Sequence, residues 1–561
     1  MNDKQAAINN SRIQVKFRYN PDLVKSMRAL PGREYESALK AWFLPLVKDR
    51  VEDLLKLDFE LSQELRNWYV KDNAISNLPK ITIPGLSITP RPYQEQGVAF
   101  IEDKKGRALV ADEMGLGKTL QAIAWTRLNP AKSLPVIIVC PASVKYQWAE
   151  AIKNAVEDKT TVHVFVGNKP TFVKADYYVI NYDILYVSQI CPVCEGTKKA
   201  RRGMEIVKCS KCKGKGKIVV VREDLLWCKA NTIVFDEIHF IKDQKAFRST
   251  ASKRLASGKK HVIGLSGTPI DNRPIEIFAG LNIINPKLFP SYWKFGQRYC
   301  GATHTGFGWD FSGASNTQEL FEILSSTVMI RRRKKDVLKD LPDKTKAVIP
   351  LPIDNQKAYD SAVSKFKKWL KDNPDNEAKA MVEIGHLKQA AVAGKLESCI
   401  QWIWDFLSSD EKLVVFCVHK ATVAMLKKRF ADMAVVIDGS VPNAKRKAII
   451  DQFRTNEGKR LFIGNIQAVG TGVDGLQDVC SNSCTIEFDW SPKKHEQADD
   501  RLHRMGQKQA VTNWYLVGLR TIEEEIIRIL DEKDKIITQV LDGKTIENNT
   551  LLTGLLNKYK K

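Results

Sequence analysis

The segment ADEMGLGKT (111–119) concentrates more potential chemistry than any other short stretch of the chain. It follows an apolar, strand-like run and precedes a helical pattern, LQAIAWTRL. In that setting Gly115 and Gly117 free the backbone of Met114, Gly115, Leu116 and Gly117 to wrap phosphate oxygens. Lys118 reaches the β- and γ-phosphates, and the Thr119 hydroxyl holds Mg²⁺. The first glycine of the usual G-x-x-x-x-G-K-[ST] pattern is replaced by Asp112. The competing reading is a glycine-rich helix start. A second element, DEIH (236–239), ends the apolar run TIVF. A carboxylate at a strand end holds Mg²⁺ through water, and its neighbour orients or deprotonates a hydrolytic water; Asp236 and Glu237 suit those two roles. A third, QADDRLHRMGQ (497–507), carries Arg501 and Arg504, which share a face if the segment is helical. They read either as a surface salt-bridge patch or as two guanidiniums set against the γ-phosphate of ATP bound elsewhere in the chain.

A separate cluster suits a metal. In CPVCEGTKKARRGMEIVKCSKCKGKGK (191–217), Cys191 and Cys194 form one CxxC, and Cys209 and Cys212 form another. Four thiolates in two knuckles make a closed tetrahedral Zn²⁺ site, structural rather than catalytic because no ligand position stays open. A redox pair, a disulfide or an iron–sulfur site are the alternatives. Residues 191–222 hold ten Lys or Arg against two Glu, and residues 331–346 hold eight bases against three acids. The whole 561-residue chain has a formal net charge of +23. Such an excess of base self-repels in a compact state and marks a polyanionic partner, so both runs are expected to meet a phosphate backbone. Aromatic residues are sparse in both runs, which argues against a base-stacking platform.

The elements that must position these groups read as two αβ lobes. ALVAD (108–112), PVIIVCP (135–141), YYVINY (177–182), TIVFDE (232–237) and HVIGLSG (261–267) are short, β-rich and non-alternating, as strands buried on both faces of a parallel sheet are. A second set follows: KLVVFCV (412–418), AVVIDG (434–439), RLFIGN (460–465) and TIEFDW (485–490). Residues 13–45 read as a small βαββ-type module, with Ile13, Val15, Phe17 and Tyr19 alternating and Asn20-Pro21-Asp22 opening a helix. The expected organisation is a head (1–77), a linker (78–91), a first lobe (92–340) containing the insert (191–222), a second lobe (341–520), and a helix with tail (521–561) that braces one lobe. The fold class is α/β, with two parallel sheets in tandem.

DEMGLGKT, DEIH, SGTP (266–269) and QADDRLHRMGQ, in this order, closely resemble the Swi/Snf-type branch of superfamily-two helicases. RPYQ (91–94), CPASVKYQWAEAI (140–152), NYDIL (181–185), MIRRRKKDVL (329–338) and DWSP (489–492) also match. The resemblance implies two RecA-like (P-loop) lobes with parallel sheets, ATP in the cleft between them, and translocation along duplex DNA. By the same resemblance Tyr93 and Gln94 would read the adenine, Ser266 and Thr268 would couple the ATP site to DNA movement, and Pro141 and Ser143 would touch the DNA backbone. The family's Gly-x-Gly-x-Asn segment appears as AVGTGVDG (468–475), so Gly472 stands in it and Asp474 replaces the Asn. By resemblance to the wider superfamily, Asp474 would hold the nucleotide ribose. The head resembles the HARP module of annealing helicases, with Trp42 and Pro45 at matching places, and the knuckles resemble half of a DnaJ-type zinc repeat.

The sequence thus points to an ATP-dependent duplex-DNA translocase using ATP, Mg²⁺ and Zn²⁺, acting on branched or unwound DNA in repair, replication or recombination. Other readings stay open: a strand-separating DNA or RNA helicase, a chromatin or protein–DNA remodeller, and a DNA-binding scaffold with a vestigial ATPase. The polar start MNDKQAAINNSR lacks the apolar core of a signal peptide, and eleven cysteines in this length do not make a secreted disulfide scaffold. An intracellular compartment, cytoplasmic or nuclear, is the expectation.

Overall fold

The computed structural model describes residues 4–9, 12–72, 78–167, 173–202, 205–306, 308–373, 377–469 and 473–542. Gly472 and the tail from Gly543 onward lie outside the described residues. Among the described residues, no helix is long and apolar enough to cross a membrane.

The first lobe is built on a sheet ordered Met329–Ile330, Arg107–Val110, His261–Leu265, Thr232–Asp236, Val136–Cys140, Tyr177–Asn181 and Val162–Val164, with every pairing parallel. All five expected strands are present. The two short edge strands, Val162–Val164 and Met329–Ile330, were not expected. Continuous runs such as Val136–Cys140 are buried along their whole length because helices cover both faces. The order matters for function. His261–Leu265 lies between Arg107–Val110 and Thr232–Asp236, so the turns carrying SGTP, the phosphate loop and DEIH emerge side by side at the carboxyl edge. Ligands of open α/β sheets bind at that edge.

The second sheet is ordered Lys344–Leu351, Val511–Gly518, Asn482–Thr485, Leu413–Cys417, Leu461–Asn465 and Ala434–Ile437, again all parallel. The strand expected over TIEFDW lies earlier, at Asn482–Thr485, and residues 486–490 form the chain leaving its carboxyl end.

The head is a five-stranded sheet ordered Glu34–Glu36, Ala41–Pro45, Arg12–Phe17, Lys4–Asn9 and Glu60–Leu61. Ile13 and Val15 are fully buried, as their alternation requires. Asn20 caps helix Pro21–Ala29, its Oδ1 accepting from the backbone of Asp22 and Leu23 at 3.0 and 3.1 Å. Trp42 packs on Tyr35, and Pro45 packs against Gly32. Beyond the expected βαββ core the head adds strands Lys4–Asn9 and Glu60–Leu61 and helices Lys48–Lys56 and Gln63–Asp72. The stretch expected as a linker packs down: Leu78, Ile81, Ile83 and Leu86 lie on the first lobe's core.

Helix Ile522–Asp542 braces both lobes rather than one. Ile522, Ile526, Ile529 and Leu530 enter the second lobe's flank with Tyr359 and Phe488. Further along, Ile537, Val540 and Leu541 enter the first lobe's core with Leu320 and Leu324.

Candidate functional site

Gly115 and Gly117 adopt left-handed φ values of 85° and 74°, which L-residues with a Cβ rarely adopt. Gly117 caps helix Lys118–Leu128. A Cβ on Gly117 would meet Gln94 Nε2 at 2.2 Å, because that amide donates to the Leu116 carbonyl (3.1 Å). Gln94 Oε1 accepts from the Arg91 backbone N–H (2.9 Å), so Gln94 clamps the loop from behind. Tyr93 is buried beside Leu116, with its hydroxyl 4.0 Å from the Met505 sulfur of the second lobe. Met114 closes over Gly267 of SGTP, where a Cβ would meet the Met114 backbone N at 3.2 Å. Lys118 Nζ donates to the carbonyls of Asp112 (2.8 Å) and Glu113 (3.2 Å). Burial lowers its pKa against the opposing charges of Glu237, Asp112 and Asp236. Thr119 follows in the first helical turn.

Asp112 stands where a glycine is usual because it serves a different purpose. It is fully buried, and its carboxylate accepts from Arg332 Nε (2.9 Å), the Arg332 backbone N–H (3.0 Å) and Gln121 Nε2 (2.9 Å). The phosphate loop is thereby anchored to the MIRRRKKDVL run.

Asp236 ends its strand with its carboxylate accepting from Trp148 Nε1 (2.7 Å). Burial, then the neighbouring Glu237 charge, pushes Asp236 up to about 7. Glu237 sits at φ 50°, a strained backbone for a non-glycine. Its Oε2 accepts from Ser266 Oγ (3.2 Å) and lies 3.1 Å from His239 Nδ1. Burial alone would raise Glu237. The His239 hydrogen bond and charge, with Lys493 and Lys118, outweigh it and hold the carboxyl well below the usual range. Two adjacent half-buried carboxylates with opposite tendencies, beside a loop that offers a hydroxyl at Thr119, form a donor set suited to a hard divalent cation.

The second lobe delivers the arginines by a turn, not by the expected helix face. Helix Pro492–Asp499 stops, and residues 500–506 turn back with Gly506 at φ 96°. At the stop, Asp500 is buried and ion-paired to Lys334 (2.7 Å) and Lys344 (2.9 Å). Arg501 Nη1 donates to the Val473 carbonyl (2.9 Å). Burial, and then the charge of Arg504, lowers Arg501 to about 10, while Asp474 and Glu237 oppose. It therefore stays charged at neutral pH and feels a first-lobe carboxylate. Arg504 pairs with Asp474 (2.6 Å), and its Cβ lies 3.3 Å from where a Cβ on Gly115 would stand. Asp474, proposed from sequence as a ribose ligand, is here the partner of Arg504.

Three features of the site were not visible in the sequence. The 331–346 run, expected to meet DNA, spends four of its eight bases internally. Arg331 donates to the carbonyls of Ala111 (2.9 Å) and Gly267 (3.0 Å), Arg332 holds Asp112, and Lys334 and Lys344 hold Asp500. Ser491 of DWSP donates to Asp271, just past SGTP, which closes the lobes on the far side. Lys493 is 5% exposed, its Nζ has no hydrogen-bond partner among the described residues, and burial pushes it down to about 8 against Glu237, Asp271 and Glu276. Nothing in the spacing of DWSPKKH signals that Lys493 is buried.

In the insert, all four sulfurs lie within 4.8 Å of one another. Cys191 and Cys209 are 3.8 Å apart, and Cys194 and Cys212 are 3.5 Å apart. A Zn–S bond of about 2.3 Å gives a tetrahedral S···S edge of about 3.8 Å, so the cage has the size of a zinc site and not of two disulfides. The Gly216 backbone N–H donates to Cys212 Sγ (3.3 Å). An antiparallel stalk, Tyr186–Ile190 with Lys217–Val221, roots the insert in the first lobe's core through Val219 and Val221. Arg222 is consumed there by Asp224 (2.6 Å), whereas Lys198, Lys199, Arg201, Lys208, Lys211, Lys213 and Lys217 are exposed.

Known proteins resemble this chain over most of its length. The SNF2-related domain matches residues 93–395, and the helicase conserved C-terminal domain matches residues 394–506. The chain is 29% identical to the Caenorhabditis elegans "SWI/SNF-related matrix-associated actin-dependent regulator of chromatin subfamily A-like protein 1 homolog", over 94% of this chain and 74% of that protein. It is 26% identical to the corresponding Xenopus tropicalis protein, over 95% of this chain and 55% of the other. With the human "DNA annealing helicase and endonuclease ZRANB3" it is 30% identical over 81% of this chain and 40% of that protein. The chain therefore spans about half the length of the vertebrate relatives it matches. With the SNF2-related domain extending over more than half of its residues, the chain belongs to the SNF2-related family.

Proposed function

We propose that the chain is a DNA-dependent ATPase of helicase superfamily two that uses ATP to move on and remodel branched or unwound DNA, as an annealing helicase does. The observation that carries this is the convergence of Lys118, Asp236 and Glu237 from one sheet with Arg501 and Arg504 from the other, across a cleft that Ser491, Lys334 and helix Ile522–Asp542 hold closed. Lys118 and the backbone of Met114–Gly117 would take the phosphates, and Tyr93 and Gln94 the base. Asp474 would exchange Arg504 for the ribose. Asp236 and Thr119 would hold Mg²⁺, which neutralises phosphate charge when bound. Glu237, fixed by Ser266 and His239, orients the attacking water. The test is the ATPase rate with duplex, single-stranded, forked and gapped DNA and with RNA. Stimulation by forked or gapped DNA above plain duplex is expected; stimulation by RNA alone would overturn the reading.

We further propose that the cysteine cage holds a structural zinc and that the exposed bases around it contact DNA phosphates. The sulfur spacing supports the zinc, and the exposed bases together with a relative named as a DNA annealing helicase support the contact with DNA. Chelation, or Cys209→Ser with Cys212→Ser, is expected to release one zinc and to weaken DNA binding while leaving nucleotide binding near parental. A variant that keeps parental DNA affinity after losing its metal would remove the insert from the DNA interface. The head, packed on the first lobe through Arg66 near Glu319 (3.6 Å), is proposed as the module that selects branched substrates.

A further inference from the structure

Resting on the ATPase reading above, we propose that Lys334 is a positioning residue that couples the phosphate loop to both arginines of the second lobe, so that the MIRRRKKDVL run works as an internal strap rather than a DNA-binding patch. The geometry runs through one residue. The Lys334 backbone N–H donates to Glu113 Oε2 of the phosphate loop at 2.6 Å. Its side chain passes Gly115, where a Cβ would stand 3.7 Å from Lys334 Cε. Its Nζ then donates to the His503 carbonyl (2.6 Å) and pairs with Asp500 (2.7 Å). Asp500 and His503 are the residues immediately before Arg501 and Arg504. A single side chain thus grips the backbone neighbour of each arginine, while its own backbone is tied to the loop that would meet the nucleotide. Lys344 backs the same carboxylate at 2.9 Å, and His503 Nε2 donates to the Pro342 carbonyl at 2.8 Å, so the strap is fastened at two further points.

Burial excludes the obvious alternative. Lys334 is 3% exposed and its ammonium is engaged twice, which leaves it unable to reach a DNA phosphate. Buried ion pairs contribute little net stability against hydrophobic replacements, so one placed between two motifs of different lobes is better explained by the position it fixes. The cost of its desolvation is met only when both lobes present their partners together. A shift of the loop at Glu113 therefore carries through Lys334 to residues 500–504.

The test uses the full chain with Lys334→Met, Asp500→Asn and the double variant, and with Lys335→Met at the exposed neighbour as the control. In Lys334→Met, kcat at saturating DNA should fall by about 5- to 150-fold, the range of typical site-to-site coupling. The KM for ATP should move much less. Asp500→Asn should reproduce the loss, and the double variant should be no worse than either single change. The slope of log DNA affinity against log salt should match the parent, whereas a lost phosphate contact lowers it by about 0.9. Amide exchange at residues 500–506 should slow when a non-hydrolysable ATP analogue with Mg²⁺ is added to the parent and not when it is added to Lys334→Met. Parental kcat in Lys334→Met, additive losses in the double variant, or a reduced salt slope would each overturn the coupling role. If the parent shows nucleotide-dependent protection that Lys334→Met loses, but neither hydrolyses ATP, the strap stands and the ATPase reading fails.

Discussion

Glu237→Gln is expected to bind ATP with near-parental affinity and to lose turnover by about 10²- to 10⁴-fold, the usual contribution of a positioned acid–base group. The substitution is isosteric and leaves the left-handed backbone at φ 50° in place, so the DEIH turn keeps its shape. What disappears is the anion. Ser266 Oγ and His239 Nδ1 now converge at 3.2 and 3.1 Å on a carboxylate that only accepts hydrogen bonds. An amide in its place presents an N–H to one of them and can no longer take a proton from water. The Lys118 ammonium lies elsewhere, on the carbonyls of Asp112 and Glu113, so phosphate capture does not depend on Glu237. Equilibrium binding of a labelled nucleotide and steady-state phosphate release separate the two effects. Hydrolysis at the parental rate would remove Glu237 from the reaction and leave Asp236 as the only carboxylate of the pair with a role.

How much of this could be read in the residues follows from the range over which their partners act. Strands such as Val136–Cys140 and Thr232–Asp236 announce themselves because both of their faces are buried by helices, and that leaves a continuous apolar run in the sequence. Two strands of the second lobe that depart from this pattern carry polar residues inside the sheet. Ser483 Oγ donates to Asn513 Oδ1 at 2.6 Å within the second lobe, and this buried pair breaks the apolar signature of both Asn482–Thr485 and Val511–Gly518. Lys344–Leu351 lies at the sheet edge with much of its surface exposed and reads as a charged loop. The phosphate loop and DEIH are local motifs and were visible whole. The strap was not, because Lys334 and Asp500 are far apart in sequence and formal charge alone does not distinguish a base facing solvent from one paired across a cleft. Likewise Asp112 departs from the glycine pattern in sequence, and only the fold brings the Arg332 guanidinium onto its carboxylate.

Arg501→Ala is expected to reduce DNA-stimulated ATP hydrolysis by about 10³- to 10⁵-fold, the range for a guanidinium acting on a transferring phosphoryl group. Its charge is secure: burial and Arg504 bring it down only to about 10, so it is protonated across the working pH range. The guanidinium is oriented from its own lobe by the Val473 carbonyl at 2.9 Å and yet feels Glu237 of the other lobe, which places it where the cleft closes. Arg501→Lys should recover little, because an ammonium cannot both hold Val473 and present a planar fork to phosphate oxygens. Arg504→Ala should cost less than Arg501→Ala, since Arg504 is paired with Asp474 at 2.6 Å and must leave that carboxylate to act. Single-turnover hydrolysis at saturating DNA is the measurement, with DNA affinity as the control that should not move. A loss of less than about tenfold in Arg501→Ala would mean that the second lobe closes on the nucleotide without stabilising its reaction, and the cleft would then be a binding clamp whose chemistry belongs to the first lobe alone.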